Sequence, residues 1–338
     1  MIAVLYEHPA WFAPLFEGLA ARGIAHAHLD AAALRFAPAW RHDPASPEHG
    51  FDLVINRMSP SADRRGRAHA ILPTLQYLES LEAGGVRVVN GATAYRYELS
   101  KARQMALLAD LGLPYPATRV INHASQAVRA TAGLRFPVVV KPSVGGSGAG
   151  VLRFDSVQEL QAAADAGQLD FGVDALALVQ EFIPARGGHI TRVEVLNHRY
   201  LYAIDMHLSG DSFNLCPADL CAVDARPAPT APPAVMALGS ACPIEAPRAG
   251  VRATAAHPPP DILDAVVKMT DAAGFDVGGV EYVVDDRDGR PYFYDVNALS
   301  NFVADAPNVI GFDPWQPFLD FLAETHAAAC RTRLLTPQ

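Results

Sequence analysis

Two hydrophobic periods divide the chain. Met1 to Tyr6 (MIAVLY), Phe51 to Arg57 (FDLVINR), Val86 to Val89 and Val138-Val139-Val140 are short apolar runs rich in β-branched residues, the pattern of buried strands. Phe12 to Ala21, Ile71 to Leu81 and Tyr95 to Leu111 instead repeat apolar positions at three and four, which predicts helices. Gly84 and Gly85 stop the second of these, and Gly112 and Pro114 the third. With Ile24 to Leu29 as a further strand, the first hundred residues alternate strand and helix, and the fold class is α/β (α+β).

The pattern changes downstream. Thr118 to Ile121 predicts a strand, Ser125 to Ala132 a short helix, Val151 to Phe154 a return strand and Val157 to Ala166 a helix. Leu176 to Ile183 is apolar and then polar at Gln180 and Glu181, an edge strand whose free backbone groups could pair with an adenine ring. Thr191 to Leu196 and Arg199 to His207 predict a hairpin across Asn197 and His198, with Arg192 and Glu194 on one face. Asp261 is expected to cap a helix from Ile262 to Ala273. GGVEYVVDDRDGRPYFYDVN then predicts a hairpin turning at Asp286-Arg287-Asp288-Gly289. Between Ala225 and Pro260 prolines crowd out regular structure, as in an insertion or a lid.

Composition limits the partners. The 338 residues call for two or three domains, with divisions expected at 1–95, 96–175 and 176–330. Half the residues are hydrophobic and 19% charged, as in globular chains, and the formal charge of -9 argues against nucleic acid. No apolar run approaches the roughly 20 residues that span a bilayer, and no secretory start is present, so a cytoplasmic protein without a membrane partner is expected. Cys216, Cys221, Cys242 and Cys330 are too scattered for a disulfide framework. Cys216 and Cys221 with His207 make a poor zinc set and read as reduced packing cysteines.

The chemistry gathers around Phe136 to Gly150, FPVVVKPSVGGSGAG. Lys141 ends a buried strand, and Gly145, Gly146, Ser147, Gly148 and Gly150 form a loop whose backbone N–H groups can approach a phosphate. The lysine precedes the loop, unlike a Walker A or kinase loop, and the spacing is not that of a dinucleotide fingerprint. In the last hairpin Glu281 and Asp295 lie seven residues either side of Asp288, hence opposite each other, with Asn297 on the same face. Val283 and Phe293 are expected to share that face. Paired oxygen ligands of this kind suit magnesium carried with nucleotide phosphates. Arg57, at the carboxyl end of a predicted parallel strand, is a substrate-site candidate. Arg64, Arg65 and Arg67 read as a solvated helix start, and Lys101 alone as a solvated helix lysine.

Together these motifs resemble the ATP-grasp superfamily, specifically its RimK-type and glutathione-synthetase-like carboxylate-amine ligases. The resemblance runs from the N-terminal unit through Phe302. It implies a three-domain fold with a Rossmann-like N-terminal domain preceding the ATP-grasp domains. It implies that Lys101 and Lys141 contact ATP phosphates under the glycine loop, that Gln180, Glu181, Phe182 and Ile183 form the adenine-binding hinge, and that Glu281, Asp295 and Asn297 hold magnesium, two ions being expected. Arg192 matches an arginine facing the transferred phosphate or acyl phosphate. Substrates would be a small-molecule or peptide carboxylate and an amine, joined through an acyl phosphate with release of ADP. Enzymes of this kind are often dimers or tetramers.

The chain departs from the family where the acceptor binds. RimK-type enzymes usually show Asp-Ile-Arg where this chain has Ile190-Thr191-Arg192, Glu at Asp295, and Asn-x-Ser-Pro-Gly where it has Asn297-Ala298-Leu299-Ser300-Asn301. Phe213, Asn214 and Cys216 stand where the family places substrate contacts, without its usual arginine; Asn214 and Asn301 are further substrate candidates. Glutamate is therefore not assumed as the added amino acid. A non-catalytic ATP-binding protein and an ATP-dependent phosphotransferase are the alternative readings of the same motifs.

Overall fold

The inner strands Ile2–Tyr6 and Leu53–Arg57 of the first sheet are buried on both faces, which explains their apolar runs. The computed structural model describes residues 1–146, 148–207 and 252–335; Ser147, Asn214, Cys216, Cys221 and residues 225–251 of the proline-rich stretch lie outside the described residues. β1 (Ile2–Tyr6), α1 (Ala13–Ala21), β2 (His26–Asp30), β3 (Leu53–Arg57), α2 (Ile71–Ala83) and β4 (Arg87–Val89) form a parallel four-stranded sheet, ordered β2-β1-β3-β4, with its helices. Ile2, Val4 and Tyr6 face one core with Phe12, Leu15 and Leu19, while Ala3 and Leu5 face another with Ile71, Leu78 and Leu81.

The expected single helix from Tyr95 to Leu111 is two, α3 (Ala92–Glu98) and α4 (Lys101–Asp110). Ser100 breaks it: its backbone is extended and its hydroxyl accepts the Arg103 N–H, the geometry of an N-cap. Lys101 is thus the first residue of α4 rather than a residue inside a longer helix.

β5 (Thr118–Ile121), α5 (Ala127–Ala130), β6 (Val138–Pro142), β7 (Leu152–Phe154), α6 (Val157–Asp165) and β8 (Ala177–Glu181) build a second, antiparallel four-stranded sheet in the order β5-β8-β6-β7. β8 is therefore an inner strand, paired on both sides, and the expectation of an edge strand is corrected. It also lies in this sheet although the chain was expected to divide at 175/176. The backbone leaves the sheet at Phe182, and no backbone carbonyl among the described residues accepts the Ile183 N–H.

β9 (His189–Leu196), β10 (Arg199–His207), β11 (Arg252–Ala255), α7 (Pro260–Ala272), β12 (Val277–Val284) and β13 (Pro291–Asn297) form the third sheet, five strands in the order β11-β10-β9-β12-β13. Asp261 does not cap α7. Pro259 holds the cap position and Asp261 sits in the first turn, where its charge complements the helix N-terminus. α8 (Ala306–Ile310) precedes α9 (Trp315–Leu335), which returns to the first sheet and packs Phe318, Leu319 and Leu322 into the core that β1, α1 and β9 share. Among the described residues no helix is long and apolar enough to cross a membrane.

Candidate active site

A cleft enclosing a cavity of about 250 Å³ lies where the three sheets meet. Lys141 reaches it from the end of β6, opposite Leu178 of β8. Lys101 reaches it from the first turn of α4, whose N–H donates to Ser143 O at 3.3 Å and so ties the helix start to the strand carrying Lys141. Gly145, Gly146 and Gly148 line the same cleft. Gly150 does not; at φ +74° it lies behind the loop, where a Cβ would come within 2.6 Å of Asp170 and 2.9 Å of Arg64.

The acidic wall comes from β9, β12 and β13. Glu281 pairs with Asp295 on one side and Arg192 on the other, and Gly279 stands between Asn297 and Glu194. Arg192 runs across Gly279 to bond Glu194 at 2.6 Å and Glu281 at 3.0 Å, and a Cβ on Gly279 would sit 2.5 Å from its guanidinium. Lys101 Nζ bonds Asp295, and the Tyr294 hydroxyl donates to Glu281 at 2.9 Å.

The face expected for Phe293 is corrected. A bulge between Glu281 and Tyr282 leaves Tyr294 unpaired, so Tyr282 opposes Phe293. Phe293 packs with Tyr282 in the core beneath α7, and Tyr294 joins Asp295 on the cleft wall.

Burial and charge pull these groups apart. Burial, then repulsion from Lys101, lowers the Lys141 ammonium to about 8. Burial would lower Lys101 too, but Asp295 with Glu98 and Glu281 outweighs it and holds that ammonium above its ordinary value. Asp295 is held below the usual carboxylate range: burial opposes this, and Lys101 and Lys141 prevail. Burial leaves Glu281 raised despite Arg192. Two buried lysines that repel each other above a row of oxygen ligands form a site suited to an anion paired with a divalent cation.

Gln180, Glu181, Phe182 and Ile183 line the far end, with the Gln180 amide turned to Thr118 at 2.8 Å. Asn297 and Asn301 also line the cleft. Arg57 does not: it is 1% exposed, lies over the Phe12 and Phe318 rings and donates to Ser300 O behind the cleft wall. Of Arg64, Arg65 and Arg67, expected as a solvated start, Arg65 has a buried side chain, whereas Arg64 is exposed and Arg67 partly so. Arg64 pairs with Asp170, while the buried Glu7 draws in Arg65, which also lies 4.6 Å from the Trp11 ring centre, and Arg67. Sequence reasoning missed Glu98 and Tyr294. Glu98 is buried in the cleft, and burial together with Asp295 raises its carboxyl to about 7 against the pull of the Ala298 N–H. Its place three residues before Lys101 carries no signal of this, because the groups that meet it, Asp295 and the Ala298 N–H, are distant in sequence.

Three layers around such a cleft define the ATP-grasp fold. Residues 99–213 match the profile of the RimK-like ATP-grasp domain. Among solved structures, a RimK domain ATP-grasp protein from Sphaerobacter thermophilus superposes with a TM-score of 0.63 at 20% identity, over 95% of this chain and 98% of that one. The ATP-grasp ligase PsnB complexed with minimal precursor, Mg and ADP superposes with a TM-score of 0.62 at 19% identity, over 96% and 97%. A D-alanine--D-alanine ligase from Hydrogenovibrio crunogenus is 30% identical over 158 residues, 41% of this chain and 50% of that protein. The chain thus matches about half the length of such relatives. It has the ATP-grasp fold, and its residues 99–213 match the RimK-like ATP-grasp domain.

Proposed function

We propose that the chain is an ATP- and magnesium-dependent, ADP-forming ligase that joins a carboxylate to an amine. The reading rests chiefly on the convergence of Lys101, Lys141, Arg192, Glu281, Asp295 and Asn297 on the one cleft beneath the glycine loop. The Ile183 N–H and the hinge from Gln180 would take the adenine, and the three sheets would close on the nucleotide.

Lys141, Lys101 and the N–H groups of Gly145, Gly146 and Gly148 would hold the phosphates. Glu281, Asp295 and Asn297 fit magnesium by donor chemistry, all being hard oxygen ligands on neighbouring strands, and we read the site as taking two ions. Magnesium bound there would supply neutralisation of the transferred phosphoryl charge. A substrate carboxylate oxygen attacks the γ-phosphorus, the bond to ADP breaks, and an acyl phosphate forms. The amine then attacks the acyl carbon and releases phosphate, with Arg192 placed to stabilise the oxyanion. The substrates are a small molecule or peptide on each side.

Phosphorus NMR with ATP, magnesium and a pool of amino acids and dipeptides tests this directly. ADP with free phosphate, dependent on pool members, is expected; ADP with a phosphorylated organic product, or AMP with pyrophosphate, would overturn it. Asp295→Asn and Glu281→Ala should abolish turnover while circular dichroism remains unchanged.

A further inference from the structure

α9 carries two metal-ligating side chains one turn apart. His326 and Cys330 share a helix face by their spacing of four, and both meet Asp52, which directly precedes β3 at the other end of the chain. His326 Nε2 lies 3.5 Å from Asp52 Oδ2 and 3.5 Å from Cys330 Sγ, and the ligand atoms of all three lie within 4.8 Å of one another. Zinc bonds of about 2.0–2.3 Å at a tetrahedral angle set neighbouring ligand atoms about 3.3–3.6 Å apart. A separation of 3.5 Å is long for an imidazole–carboxylate hydrogen bond but ordinary for two ligands of one ion.

The surroundings suit an ion as well. Arg333 holds Asp52 Oδ1 at 2.9 Å and leaves Oδ2 as the ligand oxygen, the usual way a ligating carboxylate is oriented from outside. Oδ2 now bonds the Met1 ammonium, so one cation already stands beside it, and exchanging that cation for a divalent ion keeps the carboxylate neutralised. The Asp52 and His326 side chains are partly exposed, which gives an ion a way in. None of the three residues lines the cleft, and Asp52 lies at the end of β3 opposite Arg57.

We propose that Asp52, His326 and Cys330 bind a thiophilic divalent ion of the zinc class, with water as the fourth ligand, and that the ion pins α9 to the first sheet. Thiolate, imidazole and a single carboxylate select such an ion over magnesium. The site is therefore separate in place and in chemistry from the oxygen ligands of the cleft.

Cobalt(II) is the probe, titrated into the reduced full chain with magnesium in excess. A thiolate-to-cobalt charge-transfer band with tetrahedral d–d bands should appear and be displaced by zinc. Cys330→Ser should lose the charge-transfer band, and Cys330→Ser and His326→Ala should each weaken zinc binding at least roughly 100-fold. Zinc should raise the thermal unfolding midpoint of the unaltered chain and leave that of Cys330→Ser in place, since only the folded chain brings the three ligands together. No charge-transfer band, or one that persists in Cys330→Ser and vanishes when Cys216 and Cys221 are replaced by Ser, would overturn the proposal. So would an equal rise of the midpoint in Cys330→Ser, which would place the stabilising ion elsewhere.

Discussion

Lys141 is a buried cation whose charge is opposed by its own surroundings. Its ammonium is lowered to about 8 from 10.5, first by burial and then by Lys101. Phosphate binds the protonated form, so ATP affinity should be full below about pH 8 and weaken as pH rises through it, with proton uptake on binding in that range. Calorimetric titration of ATP from about pH 7 to about pH 9.5 should show this, and Lys141→Met should bind ATP at least roughly tenfold more weakly and lose the pH dependence. Gly279 belongs to the same scale. Its missing side chain leaves room for Arg192 to cross to Glu281, so Gly279→Ala should displace the guanidinium and cut turnover by roughly tenfold or more. Its stability in urea should fall by less than the turnover loss would imply.

At the scale of elements, a cap and a bulge aim the reactive groups. Ser100 starts α4 one residue before Lys101, so Ser100→Ala should cost about 1 kcal/mol in urea unfolding and also weaken ATP binding. A variant that lost stability with unaltered ATP affinity would show that the cap does not position Lys101. The opposition of Glu281 and Asp295 was legible, since it needs only a turn and a count of residues. The positions of Phe293 and Tyr294 were not, because one unpaired residue inverts the faces on one side of it and β-branched and aromatic residues suit either face. For the same kind of reason β8 read as an edge: its apolar-to-polar change marks where the chain leaves the sheet, and pairing with β5 and β6 involves strands distant in sequence.

At the scale of the whole molecule, one small polar residue ties the first sheet to the third. Asn90, at the end of the first sheet, donates its amide to Val277 O and Ala298 O, both at 2.6 Å, and its side-chain oxygen accepts the Asp276 N–H at 2.8 Å and the Val277 N–H at 3.2 Å. It thereby fixes the start of β12 and the segment after Asn297 against the N-terminal unit. Asn90→Ala leaves these buried backbone groups unpaired and should cost about 3 kcal/mol or more in chemical denaturation, with loss of activity at temperatures where the secondary structure persists. Stability within a few tenths of a kcal/mol of the parent would remove Asn90 from this role.

What the sequence determined by itself is local: strands and helices from their periods, the glycine loop after a strand lysine, and the opposed carboxylates of a hairpin, each set by neighbours a few residues apart. Tertiary structure decided which charges meet. Arg65 looks solvated until the chain brings Glu7 to it, Arg57 looks available until α9 and the Ser300 segment enclose it, and Glu98 looks like an ordinary helix residue until the segment at Ala298 meets it in the cleft. The physical reason is that desolvation and Coulomb energy depend on distance in space, whereas periodicity records only distance along the chain.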